Sequence, residues 1–384
     1  MAYDITSRER ANMYTANKLK LGLFAANLSS GRTATQVPER WSGSWDDNLR
    51  LACLADAAGF DFMLPLARWK GYGGDTDYQG TALETFTWAS GLLAATRHLT
   101  VFATVHAPLF NPVLAAKACV TADHIGHGRF GLNMVVGWND DEFAMFGVEQ
   151  RAHEQRYAYG QEWLDAVKLM WSSQEDFDFD GQYIMLKGVR AKPKPVGGSR
   201  PLIMNAGASP VGRAFAMRNC DAFFTHASRV SMEETADNVK KAKDLGREYG
   251  RDIDVYTIAS VTCRRNRKEA EAYYRYAVLD NADLSAIDGL LALKDITPQI
   301  VGDAEFERQR RAYTIGYSGK PLLGDPDDIA KALAEHSAAG LAGIGLSFIN
   351  YLDELPFFCD EVLPRLERLG LRAPKRGPRI AARG

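Results

Sequence analysis

Between Gly128 and Glu142 the chain reads GRFGLNMVVGWNDDE, and within it Phe130, Leu132, Met134, Val135 and Val136 make a nearly continuous apolar run. A strand with one wet face alternates apolar and polar residues. A run without that alternation is the pattern of a strand covered on both faces, as in a parallel sheet flanked by helices. This narrows the fold to the α/β class. Asn133 interrupts the run. A carboxamide in such a place finds hydrogen-bond partners or costs roughly 1–3 kcal/mol, so it either pairs with neighbouring backbone or faces a bound polar ligand. Gly137-Trp138-Asn139 then reads as a turn, and Asp140, Asp141 and Glu142 as the acidic start of a helix. Polar groups therefore gather at the carboxyl end of a strand, where α/β proteins place their ligands.

The same alternation of element types recurs along the chain. Apolar runs at 19–24, 60–64, 99–103, 130–136, 201–205, 222–225, 255–261 and 343–348 predict strands. Helical spacing predicts helices at 45–58, 82–95, 111–124, 153–171, 211–219, 232–249, 326–339 and 355–369. Eight such units match a (β/α)8 TIM barrel better than an open sheet, and no glycine-rich dinucleotide fingerprint follows the first strand. With no Pro/Gly/Ser-rich linker or charge block, residues 1–384 are expected to form one domain. Two insertions are expected. One, at about 172–198 after the fourth strand, contains FDFDGQYIML, a hairpin turning at Asp180-Gly181. The other, at about 264–318 after the seventh, is charged, aromatic and largely helical, and could cover a site.

Two long loops follow strands directly, at 25–44 and 65–80. Loops of that length are binding loops, lids or disordered excursions. The second carries Arg68, Trp69, Lys70 and Tyr72, which suit an anionic ligand or simply decorate the surface. Arg156 can clamp a phosphate or close a salt bridge. The turn Ala206-Gly207-Ala208-Ser209 feeds a helix start, a ready phosphate site, although Ser209 also suits a plain N-cap. His106 and His226 fall at strand ends, as a general acid or base or as structural histidines.

A net charge of −2 among 24% charged residues predicts no nucleic-acid or anionic-membrane footprint, so the partner should be a small molecule. The five cysteines are scattered without metal or redox spacing, which suits a reducing cytoplasm and predicts no metal site. No apolar stretch has the length of a signal peptide core or a membrane span.

GRFGLNMVVGWNDDEF, the Arg156-Tyr157 pair, the AGAS turn and the AAGFDF segment at 57–62 together resemble the bacterial-luciferase-like, two-component flavin-dependent monooxygenases over nearly the whole chain. ARWKGYGG, LETFTW and VFATV look most like the branch that opens pyrimidine rings, and are similar also to the branch acting on sulfones. The resemblance implies a reduced FMN over the carboxyl-terminal mouth of the barrel, O2 as co-substrate, a separate NAD(P)H-dependent flavin reductase as partner, and a homodimer. It implies that Ala67 and Arg68 meet the isoalloxazine region, that Asn133 and Glu142 meet its ring and ribityl side, and that Arg156, Tyr157, Gly207 and Ser209 form the phosphate end. Leu64, Thr104 and Asn133 match an oxygen pocket. The expected reaction is C–N cleavage in a pyrimidine-like or flavin-like heterocycle. C–S cleavage in a sulfone or sulfonate is an alternative, and a flavin binder without turnover is another. His106 and the 25–44 loop, with Arg32, Arg40 and Trp41, depart from the pyrimidine branch on the substrate side.

Overall fold

The computed structural model describes residue 13 and residues 15–225, 231–314 and 320–374. The chain begins with β1 (Lys20–Phe24), α1 (Trp45–Ala58), β2 (Phe62–Leu64), α2 (Thr85–Ala95), β3 (Thr100–His106), α3 (Pro112–Ile125) and β4 (Phe130–Val135). It continues through α4 (Asp140–Met145), α5 (His153–Ser172), the hairpin β5 (Phe177–Asp180) and β6 (Met185–Val189), β7 (Leu202–Asn205), α6 (Pro210–Asn219), β8 (Ala222–Phe224), α7 (Met232–Glu248) and β9 (Asp254–Cys263). A helical stretch follows with α8 (Arg267–Tyr274), α9 (Leu284–Ala292), α10 (Pro298–Val301) and α11 (Asp303–Thr314). Then come β10 (Lys320–Gly324), α12 (Pro326–Ala338), β11 (Gly343–Ser347), α13 (Tyr351–Glu361) and α14 (Leu363–Arg368).

Eight of these strands close into a parallel barrel in the order β1, β2, β3, β4, β7, β8, β9, β11 and back to β1. The expected (β/α)8 architecture is therefore the observed one. The two-residue period of each strand sorts its side chains. Phe62, Phe102, Met204, Phe224 and Tyr256 pack together in one cluster, while Met63, Val101, Ala103, Leu132 and Ile203 belong to the core shared with the outer helices. In the first cluster Phe62 meets Phe102 and Tyr256 edge-on at 6.3 and 5.8 Å, and Phe224 lies 5.6 Å from Tyr256. Room for these rings comes from absent side chains. A Cβ on Gly131 would fall 2.2 Å from the Phe102 ring, and one on Gly22 the same distance from Phe62. These rings pack against one another on the strand face turned away from the outer helices.

The sequence is legible in the helix ends. Ser44 caps α1 by accepting from the Asp47 amide, and Gly59 at φ 84° ends it in the left-handed conformation that glycine adopts without strain. One element was missed and one expectation is corrected. Residues 320–324 form a ninth strand, β10, which pairs with the upper half of β9 from Ala259 to Cys263, beyond the barrel. The single helix expected at 355–369 is two, α13 and α14, because Pro364 at the start of α14 has no N–H to continue the first.

Both long loops are ordered against the helical stretch after β9. Ala34 from the first and Tyr72 and Tyr78 from the second pack with Ala286, Ile287, Leu290 and Leu291 of α9. Asp283, the N-cap of α9, accepts from the Thr76 amide and hydroxyl at 2.8 and 2.7 Å. Asn27 joins the two loops to each other, donating to the Leu66 and Leu83 carbonyls and accepting from the Leu66 amide.

Candidate active site

A cavity of about 420 Å³ opens over the carboxyl ends of the barrel strands. Leu64, Ala67, Arg68, Thr104, His106, Asn133, Arg156, Tyr157, Gly207 and Ser209 all line it. Ten residues chosen from the sequence thus converge on one space. His226 lies outside the described residues.

Thr104 and Asn133 are register partners on β3 and β4. The Thr104 hydroxyl donates its one hydrogen to the Pro65 carbonyl at 2.5 Å, so its oxygen must accept from Asn133 Nδ2 at 3.1 Å. This fixes the carboxamide with Oδ1 as its remaining acceptor, and that atom is buried without a partner among the described residues. The polar residue that interrupts the apolar run is therefore half satisfied by the protein.

Arg68 and Glu142 form an ion pair at 2.8 Å in which both side chains are buried. The same carboxylate oxygen accepts from the Trp69 amide at 2.8 Å and the Lys70 amide at 3.3 Å. Glu142 is not among the cavity-lining residues. It stands behind Arg68 and pins the loop that presents it, with the guanidinium stacked 4.8 Å over Tyr72 and 5.8 Å from Trp138. Lys70, the other cation of that loop, turns outward to an exposed pair with Asp141. The two cations left open by composition have separate fates.

His106 ends β3 between these groups. Burial lowers its pKa to about 4, with Glu142 pulling it up and Arg68 pushing it down, so the imidazole is neutral at pH 7. Its Nδ1 is buried without a partner among the described residues.

At the other end of the cavity, Arg156 and Tyr157 start the long helix α5 and face the β7–α6 turn. Asn205 shapes that turn, donating to the Met134 carbonyl and accepting from the Gly207 amide, each at 2.7 Å. Ser209 caps α6, its Oγ accepting from the Gly212 amide at 3.1 Å. The chain here is packed to contact: a Cβ on Gly207 would lie 2.6 Å from the Tyr157 hydroxyl and 2.8 Å from Gly212 Cα. Burial raises the Tyr157 pKa against the lowering influence of Ser209 and Arg156, which leaves the phenol protonated at neutral pH. Arg156 Nη1 donates to the Gly137 carbonyl at 3.2 Å, and its Nε is buried without a protein partner among the described residues. A guanidinium, a phenol, a serine and the N-terminus of a ten-residue helix make a donor set suited to a dianion.

The family model for luciferase-like monooxygenases matches residues 19–343. The chain belongs to that family. It is a flavin-dependent monooxygenase. An FMNH2-dependent dimethylsulfone monooxygenase of Pseudomonas putida is 30% identical over 359 residues, covering 91% of this chain and 96% of the relative. The pyrimidine monooxygenase RutA of Acinetobacter baylyi is 26% identical over 351 residues, covering 90% and 94%. Among solved structures, a riboflavin lyase with modified FMN and its substrate riboflavin superposes with a TM-score of 0.81 at 22% identity over 93% of each chain. A long-chain alkane monooxygenase superposes at 0.83 and 18% identity, over 94% of this chain and 93% of the other. At those identities the likeness is one of fold.

Sequence reasoning missed part of this luciferase-like site. Phe24, Phe224, Thr225 and Ile258 also line the cavity, as do Asn205 and His153. Phe24 and Phe224 are the last residues of their strands, so counting inward-facing positions back from each strand end would have found them. Of the three residues noted in the 25–44 loop, Arg32 lines the cavity. Arg40 instead bonds the Val37 carbonyl, and Trp41 is buried with its indole on the Ala26 carbonyl. Among the described residues no helix is long and apolar enough to cross a membrane, and no cluster of side chains could hold a metal.

Proposed function

We propose that this chain uses reduced FMN and O2 to cleave a C–N bond in a planar nitrogen heterocycle. The observation that carries the heterocycle is that two aromatic side chains, Phe24 at the end of β1 and Phe224 at the end of β8, line the same cavity as Thr104 and Asn133. Aromatic side chains favour a flat ring partner over a small tetrahedral one. The likeness to pyrimidine monooxygenases over nine-tenths of the chain supports the same reading.

The residues present fit the cofactor. Arg156, Tyr157 and Ser209, at the N-terminal end of α6, would hold the phosphate, and a cavity without a lining carboxylate among the described residues favours an anion. Ala67 and Arg68 would border the ring system, with Glu142 acting through Arg68. The bound reduced flavin supplies the electrons that activate O2. The protein's part is to bind, orient and exclude water. Leu64 contributes an apolar wall, Thr104 holds the Asn133 carboxamide, and Asn133 Oδ1 is left to accept from a donor on the bound molecule. His106, neutral, can hold or accept one proton at Nδ1. A separate reductase would deliver the reduced cofactor.

C–S cleavage in a small sulfone is the second reading, favoured by the 30% identity to a dimethylsulfone monooxygenase. The test mixes the protein anaerobically with photoreduced FMN, adds labelled O2, and follows flavin absorbance and products with pyrimidines and sulfones in parallel. A ring-opened product carrying one labelled oxygen is expected. Labelled product from the sulfone alone would favour the second reading. Quantitative hydrogen peroxide with no product from any candidate would leave a flavin binder.

A further inference from the structure

Thr104 and Asn133 end a chain of hydrogen bonds that starts away from the cavity. Asn27 holds both the amide and the carbonyl of Leu66, and the Leu64 carbonyl accepts from the Ala25 amide at 3.0 Å, so the Pro65 carbonyl between them is fixed. That carbonyl takes the Thr104 proton, while the Thr85 hydroxyl donates to the Thr104 carbonyl at 2.7 Å and steadies β3 at the same residue. Asn133 then has one orientation open to it. A carbonyl cannot donate, so the threonine oxygen is left as an acceptor, and only Nδ2 of the carboxamide can meet it.

Oδ1 is what remains. It is buried without a partner among the described residues, on a side chain only 6% exposed that lines the cavity together with Leu64 and Val135. A neutral acceptor in apolar surroundings is satisfied by a neutral donor, whereas a sulfone or ring oxygen placed against it leaves both acceptors unmet. The ligand does not choose which end it meets, because the threonine has already taken Nδ2. An unanchored asparagine could turn over and serve a donor or an acceptor alike. The anchoring therefore converts a permissive side chain into a preorganised, one-sided one.

We propose that Thr104 and Asn133 form a specificity-determining receptor for a neutral ring N–H, selecting bound molecules that bring this donor over isosteres that bring only acceptors. The inference rests on the flavin-dependent reading and deepens it. With the donor on the substrate, the substrate is a heterocycle with an unsubstituted ring nitrogen, a lactam or an imide. A reduced flavin, which carries a hydrogen on N5 that the oxidised form lacks, is the other source of the same donor.

The test titrates the full chain loaded with oxidised FMN with 2-pyridone and with 2-pyranone, rings of one size that differ in an N–H against a ring oxygen, and reads the flavin difference spectrum. 2-Pyridone is expected to bind about tenfold more tightly. Thr104→Val, which lets the carboxamide turn, and Asn133→Leu, which removes it, should each bring the two within about twofold, while Thr104→Ser keeps the hydroxyl and the preference. Asn133→Leu serves alone if Thr104→Val does not fold. A parallel anaerobic titration compares reduced with oxidised FMN. A reduced-over-oxidised preference that falls about tenfold in Thr104→Val and Asn133→Leu, with the two rings bound alike throughout, would support the receptor and put its N–H on the cofactor. Preferences that are the same in wild type and every folded variant in both titrations would overturn the receptor while FMN binding stands. Failure of the wild type to bind FMN, read by fluorescence quenching, would overturn the cofactor reading and this inference with it.

Discussion

Thr104 and Asn133 act as a unit because the threonine hydroxyl has a single proton and spends it on the Pro65 carbonyl. Thr104→Val keeps the shape but leaves Asn133 Nδ2 without its acceptor and the carboxamide free to turn. Turnover of substrate should fall roughly 10–100-fold in single-turnover experiments, with the FMN dissociation constant changed by less than about threefold. An unchanged rate would remove the pair from the chemistry. His106 gives a pH signature. The unfolded chain takes up this proton near pH 6.5 and the native chain near 4. Between those values the unfolded state holds more protons, so native stability is complete above about pH 6.5 and declines as pH falls toward about 4. Going from about pH 7.5 to 4.5, wild type should lose about 2–3 kcal/mol more than His106→Gln in urea unfolding. Equal acid sensitivity would mean that the native imidazole takes up its proton as readily as the unfolded one. At this scale Asn133 was legible because a carboxamide in an apolar run demands an explanation. The pairing of Glu142 with Arg68 was not legible, because the two lie 74 positions apart in the chain.

Elements position these residues through a few contacts at their ends. The 65–80 loop is fixed by Glu142 at one point and by Asp283 at another. Glu142→Gln retains an acceptor for the Trp69 and Lys70 amides but leaves the Arg68 charge buried without its counterion. A loss of about 3 kcal/mol is expected in chemical denaturation, together with weaker FMN binding. At the β7–α6 turn, Gly207→Ala would drive a methyl into the Tyr157 hydroxyl and the Gly212 backbone. FMN affinity should fall more than about tenfold while the melting temperature moves little, since the strain is local to a turn. Helices were the most legible elements, because caps such as Ser44 and Gly59 are written into the sequence. β10 was not, because five residues paired to one overhanging strand carry no periodicity that separates them from loop.

The whole molecule divides into a face that carries the cavity and a face that closes the barrel. At the closing face Asp61, just before β2, accepts from the Leu21 amide at 2.8 Å and from Arg372 at 2.6 Å, while Arg372 also reaches the Leu19 and Gly59 carbonyls. This buried pair ties the segment after α14 to the start of the barrel. Arg372→Met should cost about 3 kcal/mol in unfolding and leave turnover of the folded enzyme unchanged. Closure of eight strands was readable from the count of alternating units. The shape of the cavity was not, since its walls join residues from seven strands and both long loops. Seen from a distance, the protein is weakly negative, with a net charge of −2, yet the interior wall of its mouth carries Arg32, Arg68 and Arg156. Beyond a Debye length of about 8 Å in physiological salt, a diffusing dianion therefore feels little pull, and attraction sets in only at the rim. Encounter with a phosphate-bearing molecule is a short-range event, limited by how often it arrives at the opening, and a donor that releases its cargo there would shorten the search.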